Sequence, residues 1–387
     1  VRASRERILT THVGALPAYP GLWGADGLNE KLLSTAVADV IRRQRACGLD
    51  IINEGEYTKA GHWTQFVSER LGGFEATAPG SSLQLMSASE DWREFGEFYR
   101  AAAAGGTLFE STRSTGDQTR NMDWICTGPV RYIGQRQLQR EIDCLQSGLG
   151  EVAAGDAFLT STAPASLVPG RDNRYYRSEE EYLYALAEAM RVEYEAIVAA
   201  GLLLQVDDAW LAALWDRIGV RMGLEAYQRW CNVRVDALNH ALRNVPAERV
   251  RYHLCWGSWH GPHAHDIPLR DIVHVMLRVK AQAYLFEAAN ARHEHEYTIW
   301  QTVKLPDDKL LVPGVVSHAT TLIEHPELVS LRIRRFADLV GRERVLAGTD
   351  CGLGLRCHEQ VAWAKLRALA EGAALASTAL WGRKPAA

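Results

Sequence analysis

Tyr252-His253-Leu254-Cys255-Trp256 is a short apolar and aromatic run that carries a histidine and a cysteine two positions apart. In an extended strand, residues two apart share a face, so this stretch predicts His253 and Cys255 side by side. Similar runs recur at 8–14, 50–54, 157–162, 202–207, 283–287, 311–317 and 345–350. Amphipathic stretches fall between them, among them 28–47, 178–200, 223–243, 269–281, Pro326–Val340 and 358–380. Eight strands alternating with helices predict an α/β fold of the (β/α)8 TIM-barrel type. The whole chain, 1–387, is expected to be one catalytic domain. The stretch 58–155 is expected to be an insertion, an excursion near the barrel mouth.

Most of these strands finish on polar or reactive residues. Examples are Thr11-His12-Val13-Gly14, Asn53-Glu54-Gly55-Glu56, Gln205-Val206-Asp207-Asp208 and Gly348-Thr349-Asp350-Cys351-Gly352. Barrel enzymes place their active sites at the C-terminal strand ends, where side chains converge from different strands.

Composition narrows the class. A net charge of -4 gives no basic field for nucleic acid. No apolar run approaches the roughly 18 residues of a membrane span. The charged start Val1-Arg2-Ala3-Ser4-Arg5-Glu6-Arg7 lacks the apolar stretch of a secretory signal, so a cytoplasmic location is expected. Seven scattered cysteines, an odd number, argue against a disulfide framework and leave thiolates available for metal or catalysis.

Glu287 closes a strand after the apolar run Tyr284-Leu285-Phe286, where a buried carboxylate is costly unless something positive meets it. Cys351 closes the last strand. If those two strands and that of His253 and Cys255 are strands six, eight and five, then His253, Cys255, Glu287 and Cys351 can meet at one point. One imidazole, two thiolates and one carboxylate suit tetrahedral zinc in number and softness. Such a centre is a poor Lewis acid for water and a good holder of a nucleophilic thiolate, because zinc deprotonates a coordinating thiol at neutral pH. The expected chemistry is alkylation of a small thiol bound as its zinc thiolate.

With these residues in hand, the sequence resembles the catalytic half of the cobalamin-independent methionine synthases and their short, single-barrel relatives, which include epoxyalkane:coenzyme M transferase. The resemblance runs from Ile8-Leu9-Thr10-Thr11-His12-Val13-Gly14 to the last helix. It is carried by Asn53-Glu54-Gly55-Glu56, Leu204-Gln205-Val206-Asp207-Asp208, His253-Leu254-Cys255, Phe286-Glu287-Ala288-Ala289-Asn290, Pro313-Gly314-Val315 and Asp350-Cys351-Gly352. It implies Zn2+ on the same four residues and a substrate ammonium held by Glu56 and Asp207. It also implies methyl transfer from a folate-type donor such as 5-methyltetrahydrofolate, or from a corrinoid, with a corrinoid protein as a candidate partner. Protonation of a pterin leaving group calls for a general acid, for which His318 and His12 are the candidates. Arg292 is a candidate clamp for an anionic substrate group, and Trp256, with Trp63 and Trp259, is a candidate wall for a flat ligand.

Several positions depart from the methionine synthase pattern. Val13-Gly14-Ala15 stands where Ile-Gly-Ser is usual, Ser317 replaces an Asp, and Gly257-Ser258 replaces Gly-Asn. These changes bear on the substrates and leave the metal set intact. The second expectation is therefore addition of a thiol to an epoxide or other electrophile, as in the coenzyme M transferase. A metal-free lyase of the uroporphyrinogen decarboxylase kind is a third, opposed by the His, Cys, Glu and Cys set. A non-catalytic thiol- or pterin-binding module is a fourth.

Overall fold

The computed structural model describes residues 1–24, 27–59, 64–78, 80–81, 84–85, 88–107, 122–354 and 356–382. In chain order its strands are β1 (Trp23–Gly24), β2 (Gly27–Leu28), β3 (Leu71–Thr77), β4 (Asp123–Tyr132), β5 (Phe158–Thr162), β6 (Arg171–Asn173), β7 (Leu203–Asp207), β8 (Val250–Leu254), β9 (Ala283–Phe286), β10 (Leu310–Val316) and β11 (Gly348–Thr349). Six of them form a curled, wholly parallel sheet in the order β5-β7-β8-β9-β10-β11.

Parallel neighbours need crossovers, and the amphipathic segments supply most of them. Helices Glu179–Ala199, Leu224–Ala241, Leu269–Met276 and Pro326–Val340 lie between successive strands, and a 3-10 run, Glu294–Gln301, joins β9 to β10. The Glu179–Ala199 helix starts where Ser178 accepts from the Glu181 N–H, with Glu179, Glu180 and Glu181 in its first turn facing the positive end of the helix dipole.

The strand alternation separates two apolar layers. Leu203, Ala283, Leu285, Leu310, Val312 and Leu346 belong to an inner cluster. Leu204, Tyr284, Phe286 and Leu311 face the opposite way, into the larger layer shared with the helices. The inner cluster also takes in Leu9 and Val13 from 8–14 and Ile51 from 50–54.

The expected strands 8–14 and 50–54 are reduced to single parallel bridges, Thr10 to Ala347 and Ile52 to Ala157, one at each edge of the sheet. The reason is local. Thr10 O accepts both the Asp50 and Ile51 N–H groups at 3.1 Å, while the Thr10 N–H donates to the Asp50 carboxylate at 2.9 Å. A side chain takes the place of a ladder carbonyl, and the regular pattern breaks. The expected strand 252–256 sits two residues earlier, at β8. Arg251 reads as a surface residue, yet it is buried over the Phe158 ring and donates to Thr11 Oγ1 and the His12 carbonyl.

The range 58–155 of the expected excursion holds elements with two different surroundings. β3, β4 and β6 form a separate three-stranded sheet, and β6 lies beyond residue 155. Helix Gln135–Gly148, inside that range, packs against Glu30–Ala46 in the helical layer. Among the described residues no helix is long and apolar enough to cross a membrane.

Candidate metal centre

The parallel register sets the first element of the site. Asp207 of β7 and His253 of β8 are direct register partners, and the His253 Nδ1 to Asp207 Oδ1 distance is 2.9 Å. Gln205 Nε2 donates to the same Asp207 oxygen at 2.9 Å. The carboxylate holds the imidazole with its proton on Nδ1 and turns Nε2 inward. That nitrogen is buried with no hydrogen-bond partner among the described residues.

Cys255 follows the end of β8, and Cys351 follows β11 after Asp350. One ligand atom each from His253, Cys255 and Cys351 lie within 4.8 Å of one another. The two thiols lie side by side and pull each other's acidity in opposite directions. A hydrogen bond from Cys255 holds the Cys351 thiol well below its usual range, against burial, and His253 pulls the same way. Cys255, as the donor in that bond and fully buried, is pushed well up. Burial opposes charge on His253, but the Asp207 carboxylate and the nearby Cys351 sulfur outweigh burial and carry it up to about 10. Two soft sulfurs and an oriented, unpartnered imidazole nitrogen are a donor set that zinc fits.

A second group adjoins the first: Glu287, His318 and Asp350 also offer atoms within 4.8 Å of one another. Glu287 Oε1 accepts the Trp256 backbone N–H at 3.0 Å, and its Oε2 accepts Asn290 Nδ2 at 2.6 Å. Asp350 Oδ1 accepts the Ala288 and Ala289 N–H groups at 2.8 and 2.9 Å, and Asn290 also reaches its Oδ2 at 3.2 Å. Gly314 is required here: a Cβ at that position would lie 2.6 Å from the Asp350 backbone nitrogen and 2.1 Å from its Oδ1. Burial raises Glu287 to about 8 and Asp350 to about 6. Burial lowers His318 to about 4, so it is a neutral imidazole, and its Nδ1 has no partner among the described residues.

Glu56 stands at the end of the second expected strand with φ of 57°, in the left-handed region that a non-glycine residue seldom adopts. Its Oε1 accepts from Thr160 Oγ1 at 2.9 Å. A Cβ on Gly14 would fall 2.2 Å from that oxygen, so the glycine ending Thr11-His12-Val13-Gly14 makes the room Glu56 occupies.

Not every expected residue joins these groups. His12 is buried against Phe158 and paired with Gln44 of the Glu30–Ala46 helix at 2.8 Å, and burial lowers it to about 3. It faces the helical layer because position 12 has the outward parity between Thr11 and Val13. Arg292 is exposed, donates to the Ala264 carbonyl at 3.0 Å, and lines a surface cleft of about 550 Å³ with Arg270 and His295. Trp256 is fully buried, stacked on His293 at 4.0 Å, with its indole N–H on the Ile267 carbonyl, so it offers no open face to a flat ligand. Trp259 stacks on His263 at 4.4 Å. Trp63 lies outside the described residues.

Three features of the site were not read from the sequence. Asp207 orients His253, which its register position alone would have told. Asn290 bridges Glu287 and Asp350; its place three residues after Glu287 was a usable signal. Glu54 is fully buried with neither carboxylate oxygen bonded among the described residues, and burial raises it to about 7.

Comparison with known proteins follows the same lines. Over its full length the chain is 22% identical to 2-hydroxypropyl-CoM lyase of Xanthobacter autotrophicus, covering 100% of both chains. It is 26% identical to the methionine synthase of Saccharolobus solfataricus over 217 residues, 55% of this chain and 56% of that one. The fold is that of a B12-independent methionine synthase from Shewanella sp. W3-18-1, solved in complex with selenomethionine, with a TM-score of 0.71 and 17% identity over 97% of this chain and 100% of that one. Residues 164–374, more than half the chain, match the family described as cobalamin-independent synthase, catalytic domain. The chain belongs to that family.

Proposed function

We propose that this protein is a zinc-dependent transferase that alkylates the sulfur of a small thiol, with methyl transfer from a folate-type or corrinoid donor as the leading reaction. The observation that carries the reading is the convergence of His253, Cys255 and Cys351 within 4.8 Å, with His253 Nε2 buried and unbonded. Bound zinc would supply a deprotonated, nucleophilic sulfur at neutral pH.

The chain's own groups take the remaining parts. Asp207 keeps the His253 proton on Nδ1. Glu287, held by Trp256 N–H and Asn290 in the adjoining group with His318 and Asp350, would be the fourth ligand and the one to yield when substrate sulfur arrives. Glu56, with Asp207, meets the ammonium of an amino-thiol substrate. His318, neutral and beside Glu287 and Asp350, would take up the proton that the thiol loses at the centre and pass it to the leaving atom. The edge bridges and the shared inner cluster support closure of the sheet into a (β/α)8 barrel forming a single domain, in a cytoplasmic protein.

A second reading, thiol addition to an epoxide or another electrophile, rests on the full-length match to 2-hydroxypropyl-CoM lyase. Calorimetric titration of homocysteine, cysteine, coenzyme M and glutathione into zinc-loaded protein separates the two by the thiol that binds. Cys351→Ser should shed zinc and lose thiol binding while its far-ultraviolet circular dichroism stays that of the parent. Full metal content in that variant would refute the ligand assignment.

A further inference from the structure

The segment that carries Cys351 continues through Gly352, Leu353 and Gly354 to Arg356 and Cys357. It is a tight turn: the Arg356 and Cys357 N–H groups both return to the Leu353 carbonyl, at 3.2 and 3.0 Å. The turn is seated on the end of the first expected strand, where the Gly354 N–H donates to the Ala15 carbonyl at 2.9 Å. Its far end is fixed by the Cys357 thiol, which donates to the His318 carbonyl at 3.7 Å.

Arg356 is thereby held between the two cysteine-bearing strand ends. Its Nη2 donates at 2.7 Å to Ser258 Oγ, three residues past Cys255, while its own backbone lies five residues past Cys351. Of its charged neighbours the Cys351 thiolate acts on it most strongly, and it helps burial to depress His318 in turn. The side chain is half-buried. Burial lowers its pKa to about 10, which leaves it cationic at neutral pH.

A guanidinium presents planar, paired N–H donors that match the oxygens of a carboxylate or sulfonate, and partial removal from water strengthens such bonds. A substrate sulfur seated at Cys255 and Cys351 leaves the rest of a small thiol beside this group. We infer that Arg356, steadied by Ser258, binds the anionic head group of the thiol substrate, so that the acceptor is a short thiol acid bearing a carboxylate or a sulfonate. The assignment rests on the thiol-transferase reading above and moves anion recognition from Arg292 to Arg356. The competing role is charge compensation, in which the guanidinium only offsets the two thiolates and touches no substrate.

The test compares four thiols of similar length by calorimetry on zinc-loaded protein: 3-mercaptopropionate, 2-mercaptoethanesulfonate, 2-mercaptoethanol and cysteamine. The parent should bind one or both acids about 10- to 100-fold more tightly than 2-mercaptoethanol, the range expected of a charge-assisted hydrogen-bonded pair. The better acid identifies the head group. Arg356→Gln should abolish that preference and leave 2-mercaptoethanol affinity and zinc content unchanged. Arg356→Lys, which keeps the charge and loses the paired donors, should retain only part of the preference and guards against a folding defect in the Gln variant. A readout free of metal chemistry is protection of the metal-free parent against thermal unfolding by ethanesulfonate, expected to vanish in Arg356→Gln.

Equal binding of acids and 2-mercaptoethanol by the parent overturns the assignment while leaving the thiol reading standing. So does a preference that survives in Arg356→Gln, or a Gln variant that loses zinc and weakens all four thiols alike, the signature of charge compensation. Absence of any thiol binding to zinc-loaded parent refutes the thiol reading itself, and the assignment falls with it.

Discussion

At the scale of single residues, burial decides which histidines can do chemistry. His253 owes its orientation to Asp207, and His318 is neutral beside two carboxyl groups, whereas His12 is locked in the helical layer with Gln44. That placement has a measurable sign. Burial holds His12 at about 3 in the folded protein, below the roughly 6.5 of an unfolded histidine. The unfolded chain therefore binds a proton that the native state refuses. Its contribution to stability is complete above pH 6.5 and is lost as the pH falls toward 3, at about 1.4 kcal/mol per pH unit. Urea unfolding of parent and His12→Asn at pH 7, 6 and 5 should show a shallower decline in the variant. Identical slopes would contradict the buried neutral state.

At the scale of elements, the small sheet is tied to the helices by buried charge. Arg70, at the end of the 3-10 turn Gln65–Glu69, meets Glu141 of helix Gln135–Gly148 and Glu193 of helix Glu179–Ala199, and all three side chains are at most 3% exposed. Tyr132 of β4 and Ser161 of β5 donate to Glu193 as well. Arg70→Met should cost about 3–5 kcal/mol, because Glu193 would be left buried without its cation and Glu141 with Lys59 alone. The same substitution combined with Glu141→Leu and Glu193→Leu should recover most of the loss in chemical denaturation. No recovery would mean that the pair of Glu residues stabilises the fold by some route other than charge pairing.

The elements that sequence patterning found are those whose side chains obey the simple rules. Helix Pro326–Val340 has its expected limits, since Pro326 and the His325 cap mark its start and Gly341 its end. β7 and β9 lie within one residue of expectation because β9 is apolar throughout and β7 opens on the apolar pair Leu203-Leu204. Elements went astray where a polar side chain does a backbone's work, as Asp50 does for Thr10, or where a charge is buried, as Arg251 is over the Phe158 ring. The site follows the same rule. His253, Cys255 and Cys351 were legible from residue type and strand parity. The exposure of Arg292 and the stacking of Trp256 on His293 were not legible, because both depend on the turns after the strands, which carry no period.

At the scale of the whole molecule, the centre sits on the rim of a sheet whose two apolar layers are complete without it. His253 and Cys351 belong to neither layer, and Cys255 and Cys351 follow their strands rather than lie within them. Zinc should thus stabilise the fold without being needed to form it. Chelation of metal-loaded protein is expected to lower the melting temperature by about 3–5 °C, the mass-action contribution of a ligand near a hundred times its dissociation constant. Far-ultraviolet circular dichroism should not change. Global loss of secondary structure on chelation would show that the sheet depends on the ion.

The in-register pairing of Asp207 with His253 makes ion uptake a reporter of correct folding. Slippage of β7 against β8 by a single residue would turn one of the two side chains to the opposite face and break their bond. A colorimetric zinc indicator, read on crude preparations of a mutant library, would then sort properly threaded chains from compact but misaligned ones before any substrate is in hand.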